Sequence, residues 1–206
     1  MLKQFELNRK FIEQLIILIK KNDSLSIAKK LKEIHPADIA DIIEELPEEH
    51  AQFLFEIFEN PKSADIIVEL DDDVRELILN ALSPKKIATK LIDNLESDNA
   101  ADVISELSEE KKIKVLAHIE NKNQANNIAD LLNYSNDTAG ALMAKELIQV
   151  NENWTTVKCL KEMRKQAERI KNIHTIYVVN DSNKICGLLS LKKLLVTEKS
   201  TIVKSI

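Results

Sequence analysis

The chain has 206 residues, which is enough for one large domain or two of ordinary size. Only two glycines and four prolines occur, and this composition favours helices joined by short connections. Two cysteines are too few for a disulfide framework and predict reduced thiols, while the longest apolar run, Leu15–Ile19, is too short to span a bilayer.

Charge is distributed unevenly along the chain. Residues 1–136 contain 17 Lys and Arg against 27 Asp and Glu, whereas residues 137–206 contain 12 against 7. The net charge is therefore −10 in the first segment and +5 in the second. This asymmetry favours cation binding by the first segment and its attraction to the second, and it opposes nucleic-acid binding by the acidic part.

The chain begins with two predicted amphipathic helices, at residues 2–21 and 25–34. The polar segment Asn22–Ser24 ends the first helix and supplies a cap for the second. Pro36 then opens the first full repeat, since proline is favoured at the start of a helix. We expect the preceding His35 to pack in the elbow or to cap a backbone carbonyl rather than to bind a ligand.

A repeated motif organises the first two-thirds of the chain. It occurs as DIIEEL at 41–46, ADIIVEL at 64–70 and ADVISEL at 101–107. The apolar residues that close each helix recur at steps of about twelve: Leu46, Phe58, Leu70, Leu82, Leu95, Leu107, Ile119 and Leu132. A fixed period of this kind predicts two-helix units that bury their apolar faces by stacking, as in a helical solenoid.

The pattern changes after Leu132. A polar hinge at 134–140 precedes a predicted short helix and strand at 141–150, and a helix capped by 153–156 runs to about residue 171. The last predicted elements are strands at 176–179 and 185–189 and a helix at 191–196. This order indicates a small α/β unit, in which we expect Trp154 and Tyr177 to be core residues. The predicted domains are 1–133 and 134–206.

Carboxylates recur at matching positions of the repeat, as the pairs Asp41/Glu45, Asp65/Glu69 and Asp102/Glu106. Spacing of four residues places each pair on one helix face, where like charges repel. Asp98 lies four residues before Asp102 and adds to the charge there. Mg²⁺ suits such a face because it keeps several waters and takes only one or two carboxylates.

Simpler explanations of these acidic residues also fit the sequence. The carboxylates could form the solvated face of the solenoid, and Asp98 could be a helix N-cap. The run Asp71–Asp73 lacks the glycine and the terminal glutamate of a calcium-binding loop, so we expect a solvated N-cap there. No catalytic set is present, since the four histidines are dispersed, and no enzymatic activity is predicted.

Several segments together resemble a known family. HPADIADIIEELPEE (35–49) and NDTAGALM (136–143) resemble the cytosolic N-terminal domain of MgtE-type magnesium transporters. WTTV (154–157), IYVV (176–179) and GLLSL (187–191) resemble the CBS (cystathionine-β-synthase) domain that follows it there. The resemblance implies an all-helical, superhelical (solenoid-like) N-terminal domain followed by a single CBS α/β domain. It also implies truncation before a second CBS domain, whose opening the segment 201–206 resembles.

The resemblance further implies a function. The chain would be the Mg²⁺-sensing regulatory region of a transporter or channel, on the cytoplasmic side of the membrane, and it would control a pore that the sequence lacks. Matching motif to motif places the Mg²⁺ ligands on Asp65, Asp98 and Asp102. The implied partners are magnesium ions, the pore domain and a second copy of the chain joined through CBS domains, with no nucleic acid.

Two other functions are compatible with parts of the sequence. An acidic helical repeat can serve as a protein-interaction scaffold without metal sensing. A CBS domain can hold an adenosine nucleotide, with an aspartate three residues after a Ser or Thr contacting the ribose. Here Ser190 is followed three positions later by Lys193. That lysine argues against a nucleotide site of the usual kind.

Overall fold

The fold is described from a computed structural model, which covers residues 8–135, 137–167, 170, 173 and 175–206. The chain divides into two compact units, Met1–Leu142 and Met143–Ile206. We call the described parts of these the helical unit and the sheet unit.

The helical unit is a succession of short helices whose connections are only a few residues long. In chain order they are α1 (Arg9–Lys20), α2 (Ser24–Leu31), α3 (Pro36–Glu44), α4 (Glu48–Ile57), α5 (Asn60–Ile67), α6 (Asp72–Ala81), α7 (Pro84–Lys86), α8 (Ser97–Ser105), α9 (Glu109–His118) and α10 (Lys122–Leu131). The short α7 continues into a π-helix, Ile87–Leu91, and a 3-10 turn, Ile92–Asn94.

The predicted period of about twelve residues is confirmed in the structure. Of the eight apolar closing residues, all are buried except Leu132, which is half-buried. Each lies at or just after the end of a helix, where it anchors the turn to the core. Helices also pack against the next helix but one: α3 on α5, α4 on α6, α7 on α9 and α8 on α10. Two-helix units therefore stack as expected of a solenoid.

The π-helix marks an irregularity in this period. The closing residues Leu70 and Leu82 are twelve apart, whereas Leu82 and Leu95 are thirteen apart. The extra residue falls in the segment that contains the π-helix, whose wider turn accommodates it while Ile87, Ala88 and Leu91 stay buried. A single inserted residue is thus absorbed without displacing the apolar face.

Side chains at the third position of several helices donate hydrogen bonds to backbone carbonyls at the end of an earlier helix. Lys62 of α5 donates from Nζ to the carbonyls of Leu31 at 2.9 Å, Lys32 at 2.9 Å and Ile34 at 3.0 Å, all at the end of α2. Lys111 of α9 donates in the same way to Leu79 O at 2.6 Å, near the end of α6. These contacts satisfy carbonyls that a helix leaves unpaired at its C-terminus.

Another long side chain near a helix start makes equivalent contacts. Gln124, third in α10, donates to Ile92 O at 2.8 Å and to Leu95 O at 3.0 Å. Lys86, third in α7, differs from these: its Nζ forms an exposed ion pair with the Glu56 carboxylate at 2.7 Å and caps no carbonyl among the described residues. The contacts to carbonyls were not predicted from the sequence. Their signal is a lysine in the first turn of a helix, where the helix dipole disfavours positive charge.

The sheet unit contains three strands and two helices in the predicted order. β1 (Ile148–Asn151) is followed by α11 (Thr156–Ala167), β2 (Ile176–Val179), β3 (Ile185–Leu189) and α12 (Leu191–Val196). β1 pairs with β2 in parallel, and β2 pairs with β3 in antiparallel orientation. The parallel pair needs a crossover, which α11 provides.

The sheet packs on α11 and α12 through one apolar core. Ile148, Val150, Ile176 and Val178 line its sheet side, and Trp154 packs against it, as the core assignment predicted. Tyr177 is half-buried. The segment 201–206, which resembles the opening of another domain, pairs here with the residues before α11: Val203 N donates to Trp154 O at 2.8 Å.

Some predicted elements differ from the structure. The short helix expected within 141–150 is absent, and Leu142 is 81% exposed. With no apolar surface to cover it, so short a helix has little to stabilise it. The predicted helix at 25–34 ends earlier, at Leu31. The expected first residues of the chain's opening helix and the end of the helix near 171 lie outside the described residues.

Candidate metal-binding face

The carboxylates of α8 form the strongest candidate site. α8 buries Ala100, Ala101, Val103 and Ile104 in the core of the helical unit. Asp98 and Asp102 lie together, one turn apart, on a side of the helix away from these buried residues. Asp98 lies in the first turn, where a negative charge is favoured by the helix dipole, and its Oδ1 accepts from Asn99 N at 2.8 Å. The N-cap is Glu96, so the alternative that Asp98 is the N-cap is wrong.

Asp98 affects the ionisation of Asp102. The residue Asp102 is exposed, but the protein excludes part of the water around its carboxyl group, and this loss of hydration raises its pKa; the negative charge of Asp98 raises it further. Arg75 acts in the opposite direction and lowers the same pKa. Asp98 is half-buried and Asp102 is exposed, and a cation bound beside them would relieve the repulsion that raises the pKa of Asp102.

Arg75 of α6 neutralises part of this acidic face. Its side chain is only 15% exposed, and its Nε lies 2.8 Å from Oε1 and 3.0 Å from Oε2 of Glu106. Its Nη1 donates to Leu70 O at 3.1 Å, and its Nη2 pairs with Asp72. Glu106, predicted as a member of the acidic ladder, is therefore paired with a cation of the protein itself. The sequence offered one signal for this role: Arg75 is the only arginine between residues 10 and 163.

The remaining carboxylates of the ladder are placed on other helices. Asp65 lies on α5 and is half-buried, while Asp41 and Glu45 lie at the end of α3 and are exposed. In the described part of the chain, no group of three or more Asp, Glu, His or Cys side chains is placed to hold one metal ion. The structure thus brings Asp98 and Asp102 together and leaves Asp65 outside any such cluster.

Two residues in the connections have roles that differ from metal binding. Asp71 is the N-cap residue of α6, as predicted, and the neighbouring Asp72 pairs with Arg75. His35 caps α3, but its Nδ1 accepts a hydrogen bond from Ala37 N at 3.2 Å. The expectation that it packs or caps a carbonyl is therefore wrong. A helix start leaves N–H groups unpaired, so an acceptor is what this position requires.

In the sheet unit, Ser190 and Lys193, at the positions where a CBS domain would contact the ribose of a nucleotide, make hydrogen bonds within the unit. Ser190 is the N-cap of α12, and its Oγ accepts from Lys193 N at 3.4 Å. The Lys193 side chain donates to the carbonyl of Ile206. The lysine that replaces the aspartate is thus engaged within the unit. No helix among the described residues is both long and apolar enough to cross a membrane.

Comparison with known proteins shows the family to which the chain belongs. The family profile described as the MgtE intracellular N domain matches residues 34–137, and that of the CBS domain matches residues 139–198. The chain belongs to the MgtE family. The resemblance found in the sequence is confirmed, and so is the fold: a helical N domain followed by a CBS domain.

Magnesium transporters named MgtE are among the relatives. The chain is 28% identical over 189 residues to that of Bacillus subtilis, covering 91% of this chain and 41% of the relative. It is 26% identical over 189 residues to that of Thermus thermophilus, covering 91% and 42%. The chain therefore spans about two-fifths of the length of these two transporters.

Two solved structures share the fold. One is described as the cytosolic domain of the Mg²⁺ channel MgtE in complex with ATP, and it matches with a TM-score of 0.83 and 25% identity over 94% of this chain and 79% of that one. The other, the soluble part of a magnesium transporter, matches with a TM-score of 0.76 and 24% identity over 95% and 76%. By fold, this chain is the counterpart of the cytosolic domain of MgtE.

Proposed function

We propose that the chain is the Mg²⁺-sensing regulatory region of an MgtE-type transporter or channel, acting on the cytoplasmic side of the membrane. The observation that carries this proposal is the pair of carboxylates Asp98 and Asp102, which lie one helical turn apart on α8 in a chain of the MgtE family. The names of its relatives support Mg²⁺ as the ion, since they are magnesium transporters.

The chemistry of the pair fits a weakly held Mg²⁺ ion. Mg²⁺ binds oxygen ligands, loses its water reluctantly and is usually held by one or two carboxylates. Asp98 is half-buried and Asp102 exposed, so an ion there would keep much of its water. Such a site would respond to changes in cellular Mg²⁺ rather than retain the ion permanently. Asp65 of α5 is the third proposed ligand, on the basis of the family resemblance.

Regulation would follow from charge. The acidic first segment carries −10 and the basic second segment +5, and the carboxylates crowded on the acidic face repel one another. In the proposed mechanism, Mg²⁺ ions bridge the acidic solenoid to the CBS region and hold the two units in a closed arrangement. Without Mg²⁺ these bridges are lost, the unneutralised carboxylates repel, and the units part and release the attached pore. Pairing with a second copy through CBS domains would transmit the change symmetrically.

Binding and compaction can be measured on the chain itself. Isothermal titration with MgCl₂ would give the affinity, and small-angle scattering would give the change in size, with NaCl matched for ionic strength. We expect compaction with MgCl₂ alone, and its loss in the double variant Asp98→Asn/Asp102→Asn. The matched control is Asp41→Asn/Glu45→Gln, which removes two charges at the same spacing on α3.

The outcomes separate the functions. If both double variants weakened Mg²⁺ binding equally, the ion would be screening charge rather than occupying a site. If Mg²⁺ neither bound nor changed the size of the chain, the sensing proposal would be wrong and the interaction scaffold would replace it. In a full-length transporter, unchanged Mg²⁺ regulation after replacing Asp65, Asp98 and Asp102 by Asn would refute the assignment of these ligands.

A further inference from the structure

Glu106, the C-cap residue of α8, completes a strip of three carboxylates along this helix. Asp98, Asp102 and Glu106 follow one another at intervals of four residues, which places them along one side of the helix. The first two are the proposed Mg²⁺ ligands. The third has both its oxygens within hydrogen-bond distance of Nε of Arg75. The strip would carry three negative charges, but Arg75 neutralises the charge of Glu106 at its end.

Arg75 is held in this place by contacts on several sides. Besides Glu106, it contacts the Leu70 carbonyl at 3.1 Å and the Asp72 carboxylate. Its side chain is 15% exposed, and Glu106 is 26% exposed, so this ion pair is more shielded from water than a surface pair. A guanidinium stays protonated under all physiological conditions, so its charge is permanent. Arg75 therefore acts as a fixed counter-ion from α6 on the acidic strip of α8.

We propose that Arg75 is a positioning residue that sets the Mg²⁺ affinity of the strip. By engaging Glu106, it leaves Asp98 and Asp102 as the available ligands, and its positive charge opposes the approach of a second cation. Both effects keep binding weak, which is what a sensor of changing Mg²⁺ requires. This inference rests on the proposed function.

Three variants of the full chain test this role. In Arg75→Gln the strip loses the positive charge beside it and Glu106 is released, so we expect Mg²⁺ to bind about fivefold more tightly. In Glu106→Gln the guanidinium loses one of its two carboxylate partners and the strip loses one negative charge, so Mg²⁺ should bind several-fold more weakly. Arg75→Lys retains the charge but not the fork of contacts, so its Mg²⁺ affinity should lie closer to that of the unaltered chain than the affinity of either Gln variant does.

The opposite signs distinguish electrostatic control from a purely structural role. Arg75→Gln and Glu106→Gln break the same ion pair, so a structural role would shift Mg²⁺ affinity in the same direction in both. Titration calorimetry with MgCl₂ gives the affinities, and circular dichroism shows whether each variant is folded. If Arg75→Gln fails to fold, the contrast between Glu106→Gln and Arg75→Lys decides the matter.

Failure of the inference differs from failure of the proposed function. If the unaltered chain binds Mg²⁺ but the variants bind it with unchanged affinity, or all more weakly, the role of Arg75 is refuted and the sensing function stands. If the unaltered chain does not bind Mg²⁺, both are refuted.

Discussion

Replacing Lys62 tests whether long-range capping stabilises the helical unit. Its Nζ donates to three carbonyls at the end of α2, at 2.9, 2.9 and 3.0 Å, and burial lowers the pKa of this amine. A hydrogen bond to a charged group contributes about 1.5–3 kcal/mol, but here the three share one ammonium whose desolvation offsets part of the gain. We expect Lys62→Met to lower the free energy of unfolding by about 2 kcal/mol, or the melting temperature by about 4–8 °C.

The chain offers a reporter for each unit. Trp154 is the only tryptophan and lies in the sheet unit, whereas most of the far-ultraviolet circular dichroism comes from the helical unit. Lys62→Met should therefore lower the unfolding midpoint seen by dichroism and leave that seen by tryptophan fluorescence nearly unchanged. The control is Lys85→Met, an exposed lysine in the first turn of α7. A loss below about 0.5 kcal/mol, or one equal to that of the control, would refute the capping role.

Three further changes give distinct expectations. Burial and a neighbouring carboxylate raise the pKa of Asp93, whose buried Oδ1 lacks a hydrogen-bond partner. The ionised carboxylate therefore destabilises the folded state above the raised pKa, and this cost disappears as the pH falls to the unfolded value of 3.8. Asp93→Asn should accordingly stabilise the protein by about 1 kcal/mol at pH 7 and not near pH 4. A Cβ at Gly140 would lie 2.3 Å from Cδ1 of Tyr134, so Gly140→Ala should displace that ring and broaden or shift its NMR signals. Burial raises the pKa of Cys159 to about 11, while Cys186 is exposed, so a thiol reagent at pH 8 should label one cysteine rapidly.

Each of these expectations has a contrary result. Equal stabilisation of Asp93→Asn at pH 4 and pH 7 would exclude its ionisation as the cause. Unchanged Tyr134 signals in Gly140→Ala would show that the ring does not rest on the glycine in solution. Rapid labelling of both thiols, or labelling that persists in Cys186→Ser, would contradict the burial of Cys159.

The repeat was predictable because its signal is local. Each closing apolar residue is followed by a cap or turn, and all but the half-buried Leu132 are buried in the core, so spacing alone locates the helices. The π-helix was not predicted, and the step of thirteen between Leu82 and Leu95 does not by itself indicate it, because the step from Ile119 to Leu132 is also thirteen and contains the α-helix α10 but no π-helix. Whether an extra residue lengthens a turn or widens a helix depends on what packs around it, and a single sequence does not contain this information.

The candidate site was only partly predictable for a similar reason. The spacing of Asp98 and Asp102 on one helix follows from helix geometry and needs no tertiary structure. The pairing of Glu106 with Arg75 joins residues 31 apart in sequence and arises only when α6 and α8 are folded. Sequence periodicity therefore found the carboxylates but did not show which of them already has a cation.

The lysine contacts from helix starts to distant helix ends have a consequence for evolution by duplication. Lys62 and Lys111 each cap a carbonyl group some thirty residues earlier, so a helix depends on a partner beyond its immediate neighbour. Insertion or loss of one helix would shift every such donor away from its acceptor. Gain or loss of a complete two-helix unit would restore the same donor to an equivalent acceptor. The array should consequently lengthen or shorten in pairs of helices.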